Sequence, residues 1–169
     1  MTESDEIGRN SRIRWAALSL IFLVTPALAD DKPAPKDVAA IEQCITTKTG
    51  ANWAWEQCIG IIGNKCAEHE ERMSPADVIE CYAREQLVWD DILNKSFQAL
   101  RKALDDEQVK KMQQMQRAWI ASRDKTCGFI YDYFQGTMAN PMMAACHARA
   151  TGLQALFLRS FADDAAQRK

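Results

Sequence analysis

Apolar residues recur at helical spacing from residue 74 onward. Between Ser74 and Leu104 they stand three, four or seven positions apart, which is the spacing of one face of a helix. The members of this face are Ile79, Tyr82, Trp89, Leu93, Phe97, Leu100 and Leu104. Ser74 followed by Pro75 is a favoured helix start, because a serine side chain can accept a hydrogen bond from a free backbone N–H and proline is tolerated in the first turn. The pattern therefore predicts a long helix beginning at Ser74-Pro75.

Two more long helices are predicted after Leu104. Asp105 can cap the second helix, and Gly136 is expected to end it. The apolar positions of the second helix are Val109, Met112, Met115, Trp119, Ile120, Cys127, Ile130 and Phe134. Asn140-Pro141 is expected to begin the third helix. The apolar positions of the third helix are Met142, Cys146, Leu153, Leu156, Phe157 and Phe161.

These elements predict an all-α fold. Because the connection between the first two long helices is tight, we expect them to pack antiparallel, with the third helix closing the groove between them. The sequence lacks the strict apolar–polar alternation of a strand. The expected architecture is an antiparallel bundle of two long helices plus a third, stapled by disulfides, with a small N-terminal helical extension.

A different apolar run lies near the N-terminus. Three arginines precede WAALSLIFLVTPALA, which ends in the small-residue pattern Ala27-Leu28-Ala29. A basic segment, a short apolar run and such a pattern are typical of a secretory signal peptide. A membrane anchor is the alternative, but about 15 residues fall short of the ~20 that a spanning helix needs. We therefore predict a signal peptide over residues 1–29, cleavage after Ala29, a periplasmic or secreted protein, and no stable membrane anchor after cleavage.

Two short segments separate this peptide from the long helices. Residues 30–37 are polar and contain prolines, and we expect them to form a flexible lead. Residues 38–65 hold two apolar pieces divided by Lys48-Thr49-Gly50. We interpret them as a small helical extension held in place by cysteines.

The charge balance excludes one class of partner. The chain has 21 Lys and Arg against 23 Asp and Glu, with a pI near 5.7. Without a basic block, it is not expected to bind nucleic acid. Acidic residues concentrate between positions 68 and 91. They predict either a negative face that steers a cationic partner or an ordinary solvated helix face.

Six cysteines indicate a disulfide framework. They are Cys44, Cys58, Cys66, Cys81, Cys127 and Cys146. An even count in an exported chain favours disulfides over reactive thiols, but the spacing alone leaves the pairing open. Cys66 with His69, and Cys146 with His147, offer too few ligands for a metal site. We predict no metal and no cofactor.

A charged residue interrupts the apolar face of the second helix. Arg123 lies four residues after Trp119 and four before Cys127, so all three share a face. Because burying an unpaired guanidinium is costly, we expect a partner. Asp90 lies at the edge of the facing helix stripe with Asn94 beside it, which predicts a partly buried, bidentate Asp90–Arg123 pair completed by Asn94. The alternative is that Arg123 reaches solvent and Asp90 is merely solvated.

Catalytic motifs are missing from the sequence. It has no phosphate-binding loop, no nucleophile motif and no metal constellation. We therefore predict that the protein is not an enzyme.

An ordered set of motifs resembles the lysozyme-inhibitor LprI-like family, which comprises small exported bacterial helical proteins. The motifs are Cys81, Glu85, Trp89-Asp90, Leu93-Asn94, Gln116-Arg117-Ala118-Trp119-Ile120, Arg123-Asp124, Cys127, Gly136-Thr137-Met138 and Cys146. The resemblance covers roughly residues 66 to 158 and implies an LprI-like helical domain over 66–163, preceded by an extension over 38–65 that only part of the family has. Where relatives commonly carry an arginine three residues after the position of Thr151, this chain has Gln154.

The resemblance also implies a connectivity and a function. The implied disulfides are Cys66–Cys81 and Cys127–Cys146, which leaves Cys44–Cys58 as the third. The implied function is inhibition of a basic lysozyme-like muramidase, or a related cell-wall lytic enzyme, by occlusion of its cleft. The residues expected to contact this target are Gln135, Gly136, Thr137, Met138 and Asn140, with the Cys66–Cys81 loop as the alternative. A second reading is a non-enzymatic envelope protein-interaction module without inhibitory activity.

Overall fold

Helices make up the regular structure of the chain. The computed structural model describes residues 32–48, 54–68 and 72–168, and within these ranges it contains no strand. Its elements are α1 (Pro35–Lys48), a 3-10 turn (Ala54–Cys58), α2 (Gly63–Cys66), α3 (Pro75–Ala103), α4 (Asp106–Phe134) and α5 (Ala139–Gln167). The predicted all-α class is confirmed. The predicted signal peptide, 1–29, lies outside the described residues.

Side-chain caps fix the starts of two long helices. At α3, the Ser74 side chain accepts the backbone N–H of Asp77, and Asp77 accepts the N–H of Ser74 in return. At α4, Asp105 accepts the N–H of Gln108 at 2.8 Å and the Gln108 side chain returns the bond. Each arrangement satisfies backbone donors that a helix start otherwise leaves free. Both starts are where the sequence predicts them.

The closest helix pair in the bundle is α3 with α5, whereas α4 packs mainly against α5 and only loosely against α3. Small residues on α5 allow the close approach. A β-carbon added at Gly152 would lie 3.0 Å from Ile59 and 3.2 Å from the indole of Trp89. The other small buried residues on this face are Ala148, Thr151 and Ala155.

One core joins the N-terminal extension to the long helices. Ile41 and Ile45 of α1 and Ile62 before α2 are buried in the same cluster as Trp89 and Leu158. The extension therefore contributes apolar side chains to the main core rather than building its own.

Three disulfides reinforce this arrangement. They are Cys44–Cys58, Cys66–Cys81 and Cys127–Cys146, with Cα–Cα distances of 5.7, 5.5 and 5.6 Å. These are the pairs that the family resemblance implies. The first lies within the extension, the second joins α2 to α3, and the third joins α4 to α5.

A buried carboxylate and two ion pairs also hold the extension in place. Glu85 of α3 accepts hydrogen bonds from the backbone N–H groups of Gly60, Ile62 and Gly63 at 2.5, 2.9 and 2.7 Å. The ion pairs are Arg84–Asp37 and Arg159–Glu42, each formed through two contacts or more. Because every one of these bonds crosses between elements distant in sequence, they fix α1 and α2 against α3 and α5.

Several large residues that the sequence assigns to the core are exposed instead. They are Ile120, Phe134, Met142, Phe157 and Phe161. For the three residues of α5, the cause is the small-residue face of this helix, which packs toward α3 and leaves the larger side chains facing outward. None of the described helices is long and apolar enough to cross a membrane.

Candidate target-binding site at the α4–α5 turn

The turn between α4 and α5 reverses the chain through two residues with positive φ. Gln135 has φ 52° and Gly136 has φ 83°. Glycine adopts such angles freely, but a residue with a β-carbon does so rarely and at a cost. Two backbone hydrogen bonds hold the strained residue in place, from Gln135 N–H to Tyr131 O and from Ala139 N–H to Gly136 O.

The structure places most of the predicted target-binding residues at the surface. Gln135, Gly136, Thr137 and Met138 are exposed, and Asn140 is half-buried in the first turn of α5. They form one continuous segment rather than a pocket. The segment offers an amide, a hydroxyl and a thioether to whatever approaches it.

Exposed aromatic and methionine side chains surround this turn. We call them the aromatic tip: Phe129, Tyr131, Tyr133, Phe134, Met138 and Met142. Tyr133 is 69% exposed and Phe129 is 63% exposed. Tyr133 packs edge to face on Phe134, with ring centroids 5.0 Å apart. Phe129 also lies 6.0 Å from Tyr133, centroid to centroid, so three of these rings are in contact, and clustered apolar side chains at the surface mark interaction sites.

The sequence analysis does not predict the aromatic tip, because it assigns Phe134 to the core. The spacing of the four aromatic residues nevertheless indicates that some of them are exposed. Phe129, Tyr131, Tyr133 and Phe134 stand two, two and one residues apart. At about 100° per residue such positions cannot share one face of a helix, so some of them had to be exposed.

The Cys127–Cys146 disulfide joins the two helices, α4 and α5, that carry the aromatic tip. Cys127 is 0% exposed, and the bridge joins two positions that are 19 apart in the sequence and enclose the whole turn. In the chain-entropy model such a closure contributes about 3 kcal/mol. The tip is therefore presented on two helix ends that are covalently fixed to each other.

The bidentate Asp90–Arg123 pair that the sequence predicts is not formed. Arg123 instead donates from Nε to Asp124 Oδ1 at 3.0 Å and from Nη1 to Thr151 Oγ1 at 3.3 Å. Its guanidinium also lies 4.9 Å from the ring centroid of Trp119. The reason is the loose packing of α4 on α3, which leaves Thr151 of α5 as the nearer partner.

Asp90, Asn94 and Arg123 nevertheless line one crevice between α3 and α4. Burial raises the pKa of Asp90, against smaller opposing effects of the Arg123 charge and of a hydrogen bond from Gln86. Burial and the Arg123 charge together lower the pKa of His147. The guanidinium therefore acts on both groups through space.

Among the described acidic residues between positions 68 and 91, Glu85 and Asp91 are engaged in contacts within the protein. Glu85 is 1% exposed, and its carboxylate accepts hydrogen bonds from backbone N–H groups. Asp91 forms an ion pair with Lys95 at 2.6 Å. Asp77 and Glu80 remain exposed. Hydrogen bonds from Ser74 lower the pKa of Asp77, which keeps this carboxylate ionised.

Metal-binding chemistry has no support in the parts of the chain that the structure describes. No group of three or more His, Cys, Asp or Glu side chains there is placed to hold a metal ion. Cys66 and Cys146, which the sequence pairs with neighbouring histidines, are both in disulfides.

The sequence of the chain matches one known protein family. The family described as "Lysozyme inhibitor LprI" matches residues 66–158, which is more than half of the chain's 169 residues. The matched range begins at Cys66 and contains the aromatic tip and the crevice. No curated protein and no solved structure matches the chain. With its motifs in order and more than half of its length matched, the chain belongs to the lysozyme inhibitor LprI family.

Proposed function

We propose that the protein is exported and inhibits a lysozyme-like muramidase, or a related cell-wall lytic enzyme, by placing the α4–α5 turn in the enzyme's cleft. Family membership supports inhibition as the activity and a protein as the partner. The protein then acts by binding and catalyses no reaction.

The aromatic tip is the observation that carries this proposal. Tyrosine and other aromatic side chains contribute disproportionately to binding energy at protein interfaces. A ligand that is rigid before binding also loses less entropy on association. The Cys127–Cys146 disulfide provides that rigidity. Gln135 and Thr137, exposed at the apex, stand where their polar groups can hydrogen-bond the carboxylate pair that muramidases use.

Charge has a secondary role in the proposal. Exposed acids such as Asp77 and Glu80 attract a basic enzyme and raise the association rate. Because only part of the acidic segment is accessible, we assign it to steering and not to the contact itself.

Export is the location that suits these features. All six cysteines are paired, and disulfides persist in oxidising compartments. The signal peptide predicted over residues 1–29 leads to the same location, the periplasm or the exterior of the cell.

A second candidate function is a non-inhibitory interaction module of the cell envelope. The aromatic tip also favours this reading, because an exposed apolar surface can dock on any complementary protein and needs no enzyme cleft. The two readings differ in a single observable, which is the inhibition of lysis.

The test is the lysis of a peptidoglycan suspension by a C-type lysozyme, with and without oxidised residues 30–169. Dose-dependent inhibition that weakens with added salt supports the proposal, since screening removes steering. Absence of inhibition at about 50 μM, from protein that is helical and free of thiols, contradicts it, because 50 μM lies well above the dissociation constants of most specific complexes. The envelope module would then remain.

A further inference from the structure

An apolar groove opens at the end of the bundle where α3 connects to α4. It is lined by the C-terminal ends of α3 and α5 and by the first turns of α4, and its volume is about 700 Å³, within the range of small-molecule sites. Leu100, Met112 and Leu158, buried members of the main core, contribute to the lining. Phe157 and Phe161 form one wall and are 39% and 50% exposed. The groove therefore continues the apolar core to the surface.

The polar side chains that line the groove already have partners. Lys111 forms an ion pair with Glu107 at 2.9 Å, and Arg168 forms one with Asp164. Gln108 takes part in the capping box of α4. None of the charges that the structure describes at the mouth of the groove is therefore left to select a charged ligand. Recognition is left to the apolar wall, because covering apolar surface from water is favourable.

The shape of the groove is long and narrow. Its lining on α5 runs from Phe157 to Arg168, and these 11 positions correspond to about 16 Å along the helix. Spread over that length, 700 Å³ gives a width of about 7 Å, whereas a helix with its side chains is about 10–12 Å across. The groove is therefore suited to one extended chain and not to a whole helix.

We propose that this groove binds the hydrocarbon chain of a free single-chain amphiphile of the fatty-acid class, with the head group left in solvent. The chain lies along Phe157 and Phe161 and covers rings that are exposed without it. Met112 and Met115 suit this ligand, because the flexible, polarizable thioether side chain adapts to irregular apolar shapes.

Other ligand classes fit the groove less well. A sugar or an amino acid would place hydroxyl or charged groups against apolar side chains without a free polar partner, which is unfavourable. A bilayer surface is too broad to enter the groove and would meet only its rim. A slender apolar chain is the ligand that reaches the buried residues of the lining.

The proposed site is remote from the proposed inhibitory surface. Phe157 lies 18 positions after Ala139, the first residue of α5, which corresponds to about 27 Å along the helix. Amphiphile binding and inhibition of lysis therefore succeed or fail independently.

The experiment is an NMR titration of oxidised residues 30–169, labelled with ¹³C in the methionine methyl groups. These residues include the whole compact unit Asp31–Lys169. The signals of Met112 and Met115, assigned with Met112→Leu and Met115→Leu, report on the groove. Those of Met138 and Met142 report on the aromatic tip, so the spectrum shows where a ligand binds.

The probes are dodecanoate, decanoate and dodecyltrimethylammonium, each kept below its micelle-forming concentration. We expect saturable shifts at Met112 and Met115. Decanoate, two methylenes shorter, should bind about tenfold more weakly than dodecanoate, since each methylene contributes to burial. The two dodecyl probes carry opposite head charges and should bind within about fivefold of each other, because the head group meets only paired surface charges.

Two double variants locate the site. Phe157→Ser combined with Phe161→Ser should weaken dodecanoate binding by at least about tenfold, whereas Tyr133→Ser combined with Phe134→Ser should leave it unchanged. The proposal is overturned if dodecanoate gives no saturable shift at Met112 and Met115 up to about 1 mM, or if the larger shifts are at Met138 and Met142.

Two further results would also contradict the proposal. One is equal binding of decanoate and dodecanoate, which would show that the chain is not buried. The other is a shift at Met112 and Met115 with phosphatidylcholine vesicles but not with the free amphiphiles, which would identify a membrane surface as the partner. Neither result depends on a variant that must fold.

Discussion

The carboxylate of Glu85 accepts the indole N–H of Trp89 at 2.9 Å, one turn further along α3. Both side chains are completely buried. Since the same carboxylate accepts hydrogen bonds from the backbone N–H groups of Gly60, Ile62 and Gly63, the pair joins residues 60–63 to α3, a helix that carries several of the family motifs. The extension is thus tied to the family domain through a motif residue.

Replacing this carboxylate should be strongly destabilising. Glu85→Gln puts an NH₂ group, which only donates, in front of backbone N–H donors. We expect a loss of about 2–4 kcal/mol in the free energy of unfolding, since buried donors are left without an acceptor. Urea unfolding followed by circular dichroism measures it. Glu80→Gln, exposed on the same helix, is the control, and equal losses for the two variants would contradict the assigned role.

Two glycines on long helices should respond in opposite ways to alanine. Gly152→Ala forces a β-carbon against Ile59 and Trp89 and should cost about 1–3 kcal/mol through overpacking. Gly128→Ala meets nothing within 4 Å and should gain about 0.5–1 kcal/mol, because alanine is the better helix former. Thermal unfolding compares them. Stabilisation by Gly152→Ala would show that α5 does not approach α3 as closely as described.

The stability contribution of Asp90 should depend on pH. Burial raises its pKa above the ordinary 3.8, so the folded chain binds this proton more tightly than the unfolded chain. The contribution is complete below pH 3.8 and is lost as pH rises through the folded pKa. Asp90→Asn should therefore be more stable than the parent at neutral pH and lose that advantage on acidification.

Urea unfolding at a series of pH values measures this difference. Asp91→Asn, which only loses a surface pair with Lys95, should be destabilised by no more than about 0.5 kcal/mol. An advantage of Asp90→Asn that stays constant with pH would contradict the prediction.

Removing two rings of the aromatic tip should weaken the inhibition of lysis without changing the stability of the protein. Tyr133→Ser combined with Phe134→Ser changes exposed residues, so the free energy of unfolding should stay within about 0.5 kcal/mol. Inhibition of lysis should fall at least about tenfold, as for the loss of an interface anchor. The lysis assay and urea unfolding on the same samples check both parts.

A matched pair of rings provides the control. Phe157 and Phe161 are also exposed and stand edge to face at 5.0 Å, but they lie on the C-terminal half of α5. Replacing both by serine should leave inhibition unchanged. If the two double variants inhibit equally, the tip is not the contact surface.

The parts of the fold that are predictable from the sequence depend on interactions between residues close together in the chain. The starts of α3 and α4 depend on Ser74 and Asp105 and on residues three positions further along, so the information lies within one turn. The class of the fold follows from helical spacing alone.

Longer-range features were not predictable in the same way. The exposure of Phe157 and Phe161 depends on Gly152 and its small neighbours, which allow α5 to turn that face toward Trp89. A search for large apolar residues overlooks such a face. The burial of Glu85 depends on backbone donors more than 20 positions away, and no pattern around Glu85 encodes them.

The turn from Gln135 to Met138 is exposed, as the sequence predicts, and its role in binding a target stays a prediction. Phe134 beside it, which the sequence assigns to the core, is exposed instead. Arg123 has partners as expected, but they come from its own helix and from α5.

The three disulfides pair cysteines in the order in which they occur along the chain: first with second, third with fourth, fifth with sixth. Each bridge spans 14, 15 or 19 positions. A chain that emerges N-terminus first therefore meets each native partner before the next cysteine appears. Oxidation that keeps pace with the emergence of the chain would join each cysteine to the one just before it in the native order, and such ordered oxidation needs no later disulfide isomerisation.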